Sequence, residues 1–287
     1  MIPSIPISRR FQTTYALYVG VFFLYLLLPL VVVILFSFND SLFPSLPWKG
    51  ATLDWYLGAR EPRLGIFNDG ELLGGVWTSI IVASATTLLS VGVALCNAFL
   101  FEREHFFGKN FLYVMMLVPL VIPGVILGVS ILIFSSSVAN QLDDLWGIEI
   151  EGLRPGLLLV VLGQFAFITT ISTLVISARL RKFDQSLEEA ALNLGASRFT
   201  AVATITLPYL KPAILGAAIV SFLMSFENFN TTLMLVGSDA PLTIAMFDRL
   251  KEGSTPVINA VSTLLMLFSG LLAAVSIFVQ RPPTGKN

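Results

Sequence analysis

The sequence predicts an all-α integral membrane protein with six membrane-spanning helices, and two of its properties carry that prediction. Hydrophobic residues make up 55% of the 287 residues and charged residues 12%, about half of the charged fraction of an ordinary soluble domain. Six apolar runs each provide the roughly 20 residues that a helix needs to cross a bilayer. Because the runs are continuous and not alternating, helices are favoured over a β-barrel.

The six runs define the expected spans, and the chain 1–287 would form a single transmembrane domain. The runs lie near 15–38, 75–101, 111–135, 156–178, 212–236 and 257–280. Arg9 and Arg10 precede the first run, as basic residues do in a signal peptide. However, its apolar stretch is long and residues 37–41 offer no small-residue cleavage site. We therefore expect the first run to be a retained helix.

Lys and Arg are distributed unevenly between the segments that join the spans. If both termini lie on one side, that side carries eleven of the 17 basic residues. These are Arg9, Arg10, Arg103, Lys109, Arg179, Arg181, Lys182, Arg198, Lys211, Arg281 and Lys286. Since cytoplasmic loops carry the excess of Lys and Arg, both termini are predicted to be cytoplasmic.

The longest segment on the other side is 39–74, and its tryptophans, prolines and glycines predict a packed lid with one short helix near 52–57. None of the outer loops is large enough to form a receptor domain. Capture of a soluble ligand would therefore need another protein.

The segment 179–211, which we name the coupling loop, is the only sizeable cytoplasmic loop in this topology. Ser186–Glu189 has the spacing of a capping box, which predicts that a helix begins there. Gly195 is placed to end that helix. Ser197 can cap a second helix over 198–205, so the loop is expected to form a compact helical hairpin.

A spaced motif runs through the coupling loop. It reads Glu189-Ala190-Ala191, three residues, Gly195, nine residues, Ile205, one residue, and Leu207-Pro208. This pattern resembles the EAA loop of the permease subunits of bacterial ATP-binding-cassette importers. Small alanines allow close helix approach, and an acidic first turn suits a helix N-terminus. An ordinary amphipathic hairpin of a membrane protein is the alternative interpretation.

The resemblance implies a six-helix type I importer transmembrane domain, multi-pass in a bacterial inner membrane, whose coupling loop docks on an ATPase subunit. The residues expected to couple to the ATPase are Glu188, Glu189, Ala190, Ala191, Gly195, Ala196, Leu207 and Pro208. The sequence contains no Gly-x-x-x-x-Gly-Lys-Ser/Thr motif, so it offers no phosphate-binding loop of that type. The chain is therefore expected not to be an enzyme.

The resemblance also implies partners. These are a homologous second permease subunit, two ATPase subunits and a periplasmic substrate-binding protein, all assembled around membrane lipid. ATP and Mg would bind to the ATPase subunits, and no cofactor is expected on this chain. Transport would proceed by alternating access.

Three segments extend the resemblance towards the second permease subunit of spermidine/putrescine importers. They are residues 221–228 in span five, Pro241-Leu242 in the last outer loop, and 253–260 at the start of span six. A polyamine or related amine is the substrate that this similarity favours. Other family members carry amino-acid derivatives, phosphonates or iron, so these solutes remain alternatives.

Glu227 is the only formally charged residue within a predicted span, and Asn228, Asn230 and Thr231 extend the polar stretch. An ionisable residue in lipid is costly, which places it towards the bundle interior or a water-filled path. These four residues are therefore candidates for the lining of a translocation path. A hydrogen bond between subunits, or a position at the outer interface, is the alternative for Glu227.

Pro119 and Pro123 must interrupt the helical hydrogen bonds of span three. A broken helix is tolerated where it lines a cavity, so both prolines are candidate gate residues in the path. Alternatively, Gly124 and Gly128 mark this span as a close-packing face.

Other functional classes are less compatible with the sequence. One cysteine (Cys96) and one histidine (His105) exclude a disulfide framework and make a zinc site or a Ser/His/Asp triad improbable. No basic, aromatic groove for nucleic acid is evident. An ion-coupled secondary transporter would need more intramembrane ionisable residues and internal repeats, and an intramembrane enzyme would need paired catalytic groups.

Overall fold

The computed structural model describes residues 9–44, 46–253 and 255–280. Arg281 and Lys286, counted above on the cytoplasmic side, and Ser254 of the segment 253–260 lie outside the described residues. The described chain is predominantly helical, which confirms the all-α class. Within the described ranges, six helices are long and apolar enough to cross a membrane.

In the part of the chain that the structure describes, the helices follow one another and one short β-hairpin lies between α2 and α3. They are α1 (Arg9–Phe36), α2 (Asp54–Leu57), α3 (Gly70–Arg103), α4 (Lys109–Val121), α5 (Gly124–Trp146), α6 (Leu157–Leu180), α7 (Ser186–Asn193), α8 (Arg198–Ala201), α9 (Leu207–Phe226), α10 (Asn230–Leu235), α11 (Leu242–Glu252) and α12 (Pro256–Gln280). The hairpin pairs β1 (Ala59–Arg60) with β2 (Arg63–Leu64). The six candidate spans are α1, α3, α5, α6, the helical stretch that ends with α9, and α12.

Residue contacts group the chain into two units. One unit contains the residues up to 70 together with 249–267, and the other contains 71–248 together with the residues from 268 onwards. The single domain expected from the sequence remains a prediction.

The first unit contains α1 and the segment 39–70. No residue of α1 is buried, although its most apolar stretch has a mean hydropathy of 3.0. Such a helix would expose its apolar side chains to water, so it requires lipid or another protein chain around it.

The lid expected over 39–74 is packed around α2. The Trp55 side chain is 2% exposed and donates a hydrogen bond from Nε1 to the Asn39 carbonyl at 2.8 Å. Arg63 lies 2.6 Å from Asp40 and 3.0 Å from Asp54. The hydrogen bond from Arg63 lowers the pKa of Asp54. The short helix predicted near 52–57 is therefore confirmed, as α2.

The second unit is built around α6, the most buried of the candidate spans. Its half nearest the coupling loop packs Ile176 and Leu180 against Ala94 and Ala98 of α3 and Leu210 of α9. Its other half packs Val160 and Val161 against Val82 and Leu235. Because α6 contacts α4, α5, α9 and α10, it is the scaffold on which the candidate site is positioned.

Candidate coupling loop and translocation path

Helix α7 of the coupling loop begins with a cap that differs from the predicted capping box. The Asp184 carboxylate accepts a hydrogen bond from the Ser186 N–H at 3.0 Å. Hydrogen bonds from Ser186 lower the pKa of Asp184. The capping box predicted over Ser186–Glu189 does not form, because Ser186 is already helical and Gln185, at the cap position, makes no side-chain cap bond. Asp184 stands two residues before Ser186 in the sequence and could have predicted this cap, because Asp side chains commonly accept a hydrogen bond from the backbone N–H two residues on.

Gly195 ends α7, as predicted. Its φ of +91° is left-handed, a conformation that costs other L-residues roughly 1–2 kcal/mol. The Gly195 N–H donates to the Leu192 carbonyl at 2.9 Å, and the Ala196 N–H donates to the Ala191 carbonyl at 3.0 Å. This pair of bonds is a Schellman motif. Gly195 and Ala196 therefore set the direction in which the chain leaves the helix.

The second helix of the loop is capped by Ser197, as predicted. The Thr200 N–H donates to Ser197 Oγ at 3.1 Å. Beyond α8, however, the chain widens into a π-helical turn over Val202–Thr206 and runs directly into α9. The predicted helix over 198–205 is therefore the beginning of span five. Pro208 in the first turn of α9 lacks an N–H and crowds the preceding turn, which favours the wider π geometry.

Glu188 and Glu189 have different environments despite being neighbours. The Glu188 carboxylate lies 3.2 Å from Arg103 at the end of α3 and accepts a hydrogen bond from the buried Thr206 hydroxyl. Glu189 is exposed. Glu188 therefore ties the hairpin to the membrane helices, whereas Glu189 is available to a partner.

Four large apolar side chains of the coupling loop are exposed. Leu192 is 38% exposed, Leu187 50%, Phe199 82% and Leu194 89%. Ala190, between the two acidic residues and Gly195, is also exposed. The loop thus presents apolar groups beside one carboxylate, a composition typical of a protein-binding surface.

Two of the apolar runs are interrupted, at positions that face a common cavity. The span predicted over 111–135 is wrong in its bounds, because this run contains most of α4 and only the first half of α5, separated by Ile122 and Pro123. The candidate span is α5 alone, Gly124–Trp146. The run 212–236 is also two helices, because α9 ends at Phe226 and α10 begins at Asn230. The first break has a proline to explain it, and the second has none.

A cavity of about 280 Å³ lies at these breaks. Pro119, Asn228, Asn230 and Thr231 line it, together with apolar side chains. Pro123 is not in the lining, although Ile122 and Gly124 on either side of it are. The polar lining consists of amides and a hydroxyl without a carboxylate. The structure thus brings four of the six predicted path residues together.

Gln164 of α6 holds the second break in place. Its side-chain amide donates to Thr232 Oγ1 of α10 at 2.9 Å and accepts a hydrogen bond from Ser225 of α9. Gln164 is 1% exposed. The Asn228 Oδ1 accepts a further hydrogen bond from the Thr232 N–H at 3.2 Å, which satisfies a backbone donor beside the break. The polar clamp of Gln164, Ser225 and Thr232 joins α6 to the helices on both sides of the break.

Glu227 is turned away from this cavity. It lies at the C-terminal end of α9, is exposed, and its carboxylate accepts a hydrogen bond from Ser269 of α12. It is not in the cavity lining. A role for Glu227 in the path therefore remains a prediction.

The described residues contain no group of three or more His, Cys, Asp and Glu side chains that could hold a metal ion. The helical spans, the helical hairpin and the cavity at two broken helices together define a multi-pass membrane permease. The chain belongs to the family of binding-protein-dependent transport system inner membrane components, whose model matches residues 90–281. It is therefore an inner-membrane permease subunit of the ATP-binding-cassette importer type, as the motif predicted.

Individual relatives extend over nearly the whole chain. The putrescine transport system permease protein PotI of Escherichia coli (strain K12) is 29% identical over 279 residues, covering 96% of this chain and 93% of the relative. The spermidine/putrescine transport system permease protein PotC of the same strain is 27% identical over 264 residues, covering 92% of each. The fold is similar to that of a bacterial ABC transporter involved in import of the acidic polysaccharide alginate, with a TM-score of 0.68 at 16% identity, covering 94% of both chains.

Proposed function

We propose that this chain passes a polyamine or related small amine from a periplasmic binding protein to the cytoplasm, driven by ATP hydrolysis on partner subunits. The observation that carries the proposal is the coupling loop. Its first helix is capped at both ends, it is fixed to the membrane helices through Glu188, and it exposes Glu189, Leu194 and Phe199. A rigid, apolar-tipped hairpin of this kind can transmit movement from a partner.

The proposed assembly contains a homologous second permease subunit, two ATPase subunits that bind ATP and Mg, and a periplasmic binding protein. Both termini and the coupling loop would lie in the cytoplasm, in agreement with the excess of Lys and Arg on that side. Closure of the ATPase subunits would move the coupling loops together and expose the cavity to the periplasm. Hydrolysis would restore the inward-facing state.

The cavity at the helix breaks is the part of the path that we assign to the solute. Asn228, Asn230 and Thr231 offer hydrogen-bonding groups without fixed charge. A weakly binding lining suits a transport path, since the solute must leave it again. Putrescine and spermidine permeases are among the relatives, which favours an amine as the solute.

A second candidate substrate class follows from the same lining. A cationic solute is usually recognised by carboxylates, and the cavity has none. The molybdenum transport system permease protein ModB of Haemophilus influenzae is also a relative, 27% identical over 210 residues. A neutral or anionic solute is therefore the alternative to an amine.

Uptake by the reconstituted complex tests both the permease role and the assignment of an amine as its substrate. Proteoliposomes containing all subunits and ATP should accumulate labelled putrescine, and excess spermidine should compete. Failure to take up amines while another solute is transported would reject the substrate assignment and leave the permease role intact.

Matched variants test the coupling loop. Phe199→Ala removes an exposed ring from its tip and should reduce uptake and substrate-stimulated ATP hydrolysis together. Phe107→Ala is the control, because Phe107 is a fully exposed phenylalanine outside the coupling loop. Equal activity of both variants would contradict the docking role.

A further inference from the structure

A second cavity, of about 170 Å³, lies where α6 leads into the coupling loop. It is lined by Val175, Ala178, Arg179, Lys182, Pro212 and Ala213. Both charged lining residues are basic, and no carboxylate lines the cavity. This volume exceeds the roughly 30 Å³ that one water molecule occupies in the liquid, so a phosphate-sized group can enter the space.

Arg179 is held in a fixed orientation at this cavity. Its guanidinium carbon lies 4.3 Å from the centroid of the Tyr209 ring. Its Nε is buried and has no hydrogen-bond partner among the described residues. A guanidinium stacked on a ring presents its remaining N–H groups as a planar fork, which matches the oxygens of a phosphate.

The two neighbouring arginines are different, because each already has a carboxylate. Arg181 binds Glu102 at 2.7 Å, and Arg103 lies 3.2 Å from Glu188. Asp184 is likewise engaged, as the cap of α7. A buried donor without a partner is uncommon in folded proteins and calls for an acceptor. Arg179 is therefore the arginine of this region that is arranged for an external anion.

A basic residue in the last turn of a helix can simply complement the helix dipole, and cytoplasmic ends of spans are commonly basic. Both explanations require only a positive charge near this position. Neither requires a ring-stacked guanidinium, a buried unpartnered Nε and a cavity with a second basic residue. These three features together indicate a binding site.

We propose that this cavity binds a phosphate oxyanion, with Arg179 as the bidentate donor and Lys182 as the second charge. Two sources share that chemistry, an anionic phospholipid headgroup and a soluble phosphate compound. Basic pockets between helices at a membrane surface are a known form of headgroup site. The proposal concerns a site separate from the transported solute and does not depend on its identity.

Native mass spectrometry of the detergent-solubilised full-length chain tests the site. Dioleoylphosphatidylglycerol is the anionic probe, and dioleoylphosphatidylcholine, whose choline cancels the phosphate charge, is the control lipid. One phosphatidylglycerol should bind preferentially. Displacement by glycerol 3-phosphate would assign the site to soluble phosphate compounds, and retention would assign it to lipid. Equal binding of the two lipids, without an effect of glycerol 3-phosphate, would overturn the proposal.

Variants locate the binding. Arg179→Gln should weaken binding about tenfold or more, as expected for loss of charge-assisted bonds, and Arg179→Lys should recover part of it. Lys182→Gln, at an exposed position, should weaken binding without a risk to folding. Arg198→Gln removes the same charge from the coupling loop outside the cavity and should leave the affinity unchanged. If Lys182→Gln and Arg198→Gln have the same effect, the site does not exist.

Discussion

Neutralising Glu188 should destabilise the coupling loop, whereas neutralising Glu189 should affect only the binding of the coupling loop to a partner subunit. The Glu188 and Arg103 side chains are 20% and 15% exposed, so the pair is largely withdrawn from water. Glu188 also accepts a hydrogen bond from buried Thr206. Hydrogen bonds to charged groups contribute about 1.5–3 kcal/mol, and Gln would retain part of this bonding. We therefore expect Glu188→Gln to cost about 2 kcal/mol.

The assay is thermal unfolding of the purified chain in detergent. With an unfolding entropy of about 2.1 cal/mol/K per residue, a loss of about 2 kcal/mol corresponds to a decrease of about 3 °C in Tm for a chain of 287 residues. Glu189→Gln changes an exposed side chain and should alter stability by less than about 0.5 kcal/mol. In the reconstituted complex, the same Glu189→Gln variant should reduce substrate-stimulated ATP hydrolysis.

A double-mutant cycle isolates the ion pair. If Glu188 and Arg103 stabilise the chain through each other, the double variant Glu188→Gln/Arg103→Gln should be hardly less stable than either single variant. Additive losses would refute the pairing. If Glu188→Gln and Glu189→Gln destabilise the chain equally, the proposed difference between the anchoring carboxylate of Glu188 and the exposed carboxylate of Glu189 is refuted.

Three further predictions concern the clamp, the turn and the cap. Gln164→Leu should destabilise the chain by about 1–3 kcal/mol, because two interhelical bonds are lost, while Gln141→Leu at an exposed position should be neutral in the same melting experiment. Gly195→Ala should cost roughly 1–2 kcal/mol from its left-handed φ, and unchanged hydrogen exchange in α7 would contradict this. The pKa of Asp184 is lower in the folded chain, so its cap contributes above about pH 4 and is lost as the pH falls further. The protection factor of the amides at the start of α7, which is the intrinsic exchange rate divided by the observed rate, should therefore decrease in acid, and this dependence should be absent in Asp184→Asn.

Local signals in the sequence predicted the features that depend on a few neighbouring residues. Continuous apolar runs predicted the number of candidate spans because the length of a run alone decides whether a helix can cross a bilayer. Gly195 and Ser197 marked the end of one helix and the start of the next. Pro123 indicated the break between α4 and α5. Each of these signals acts within one or two helical turns.

Long-range contacts decided the rest. No proline explains the break after Phe226, and the clamp that stabilises it joins Gln164 to residues 61 and 68 positions away. The distinction between Glu188 and Glu189 likewise depends on Arg103, 85 residues earlier.

The sequence by itself determined that this chain is a helical membrane permease with a coupling loop, because hydropathy and short motifs are local properties. Only the tertiary structure decided which carboxylate anchors that loop, which polar residues share a cavity, and that Arg179 lacks the carboxylate partner that its neighbours have. The physical reason is that the unfavourable hydration of an apolar side chain is enough by itself to place that side chain out of water. The role of a polar side chain depends instead on the partner that folding brings to it.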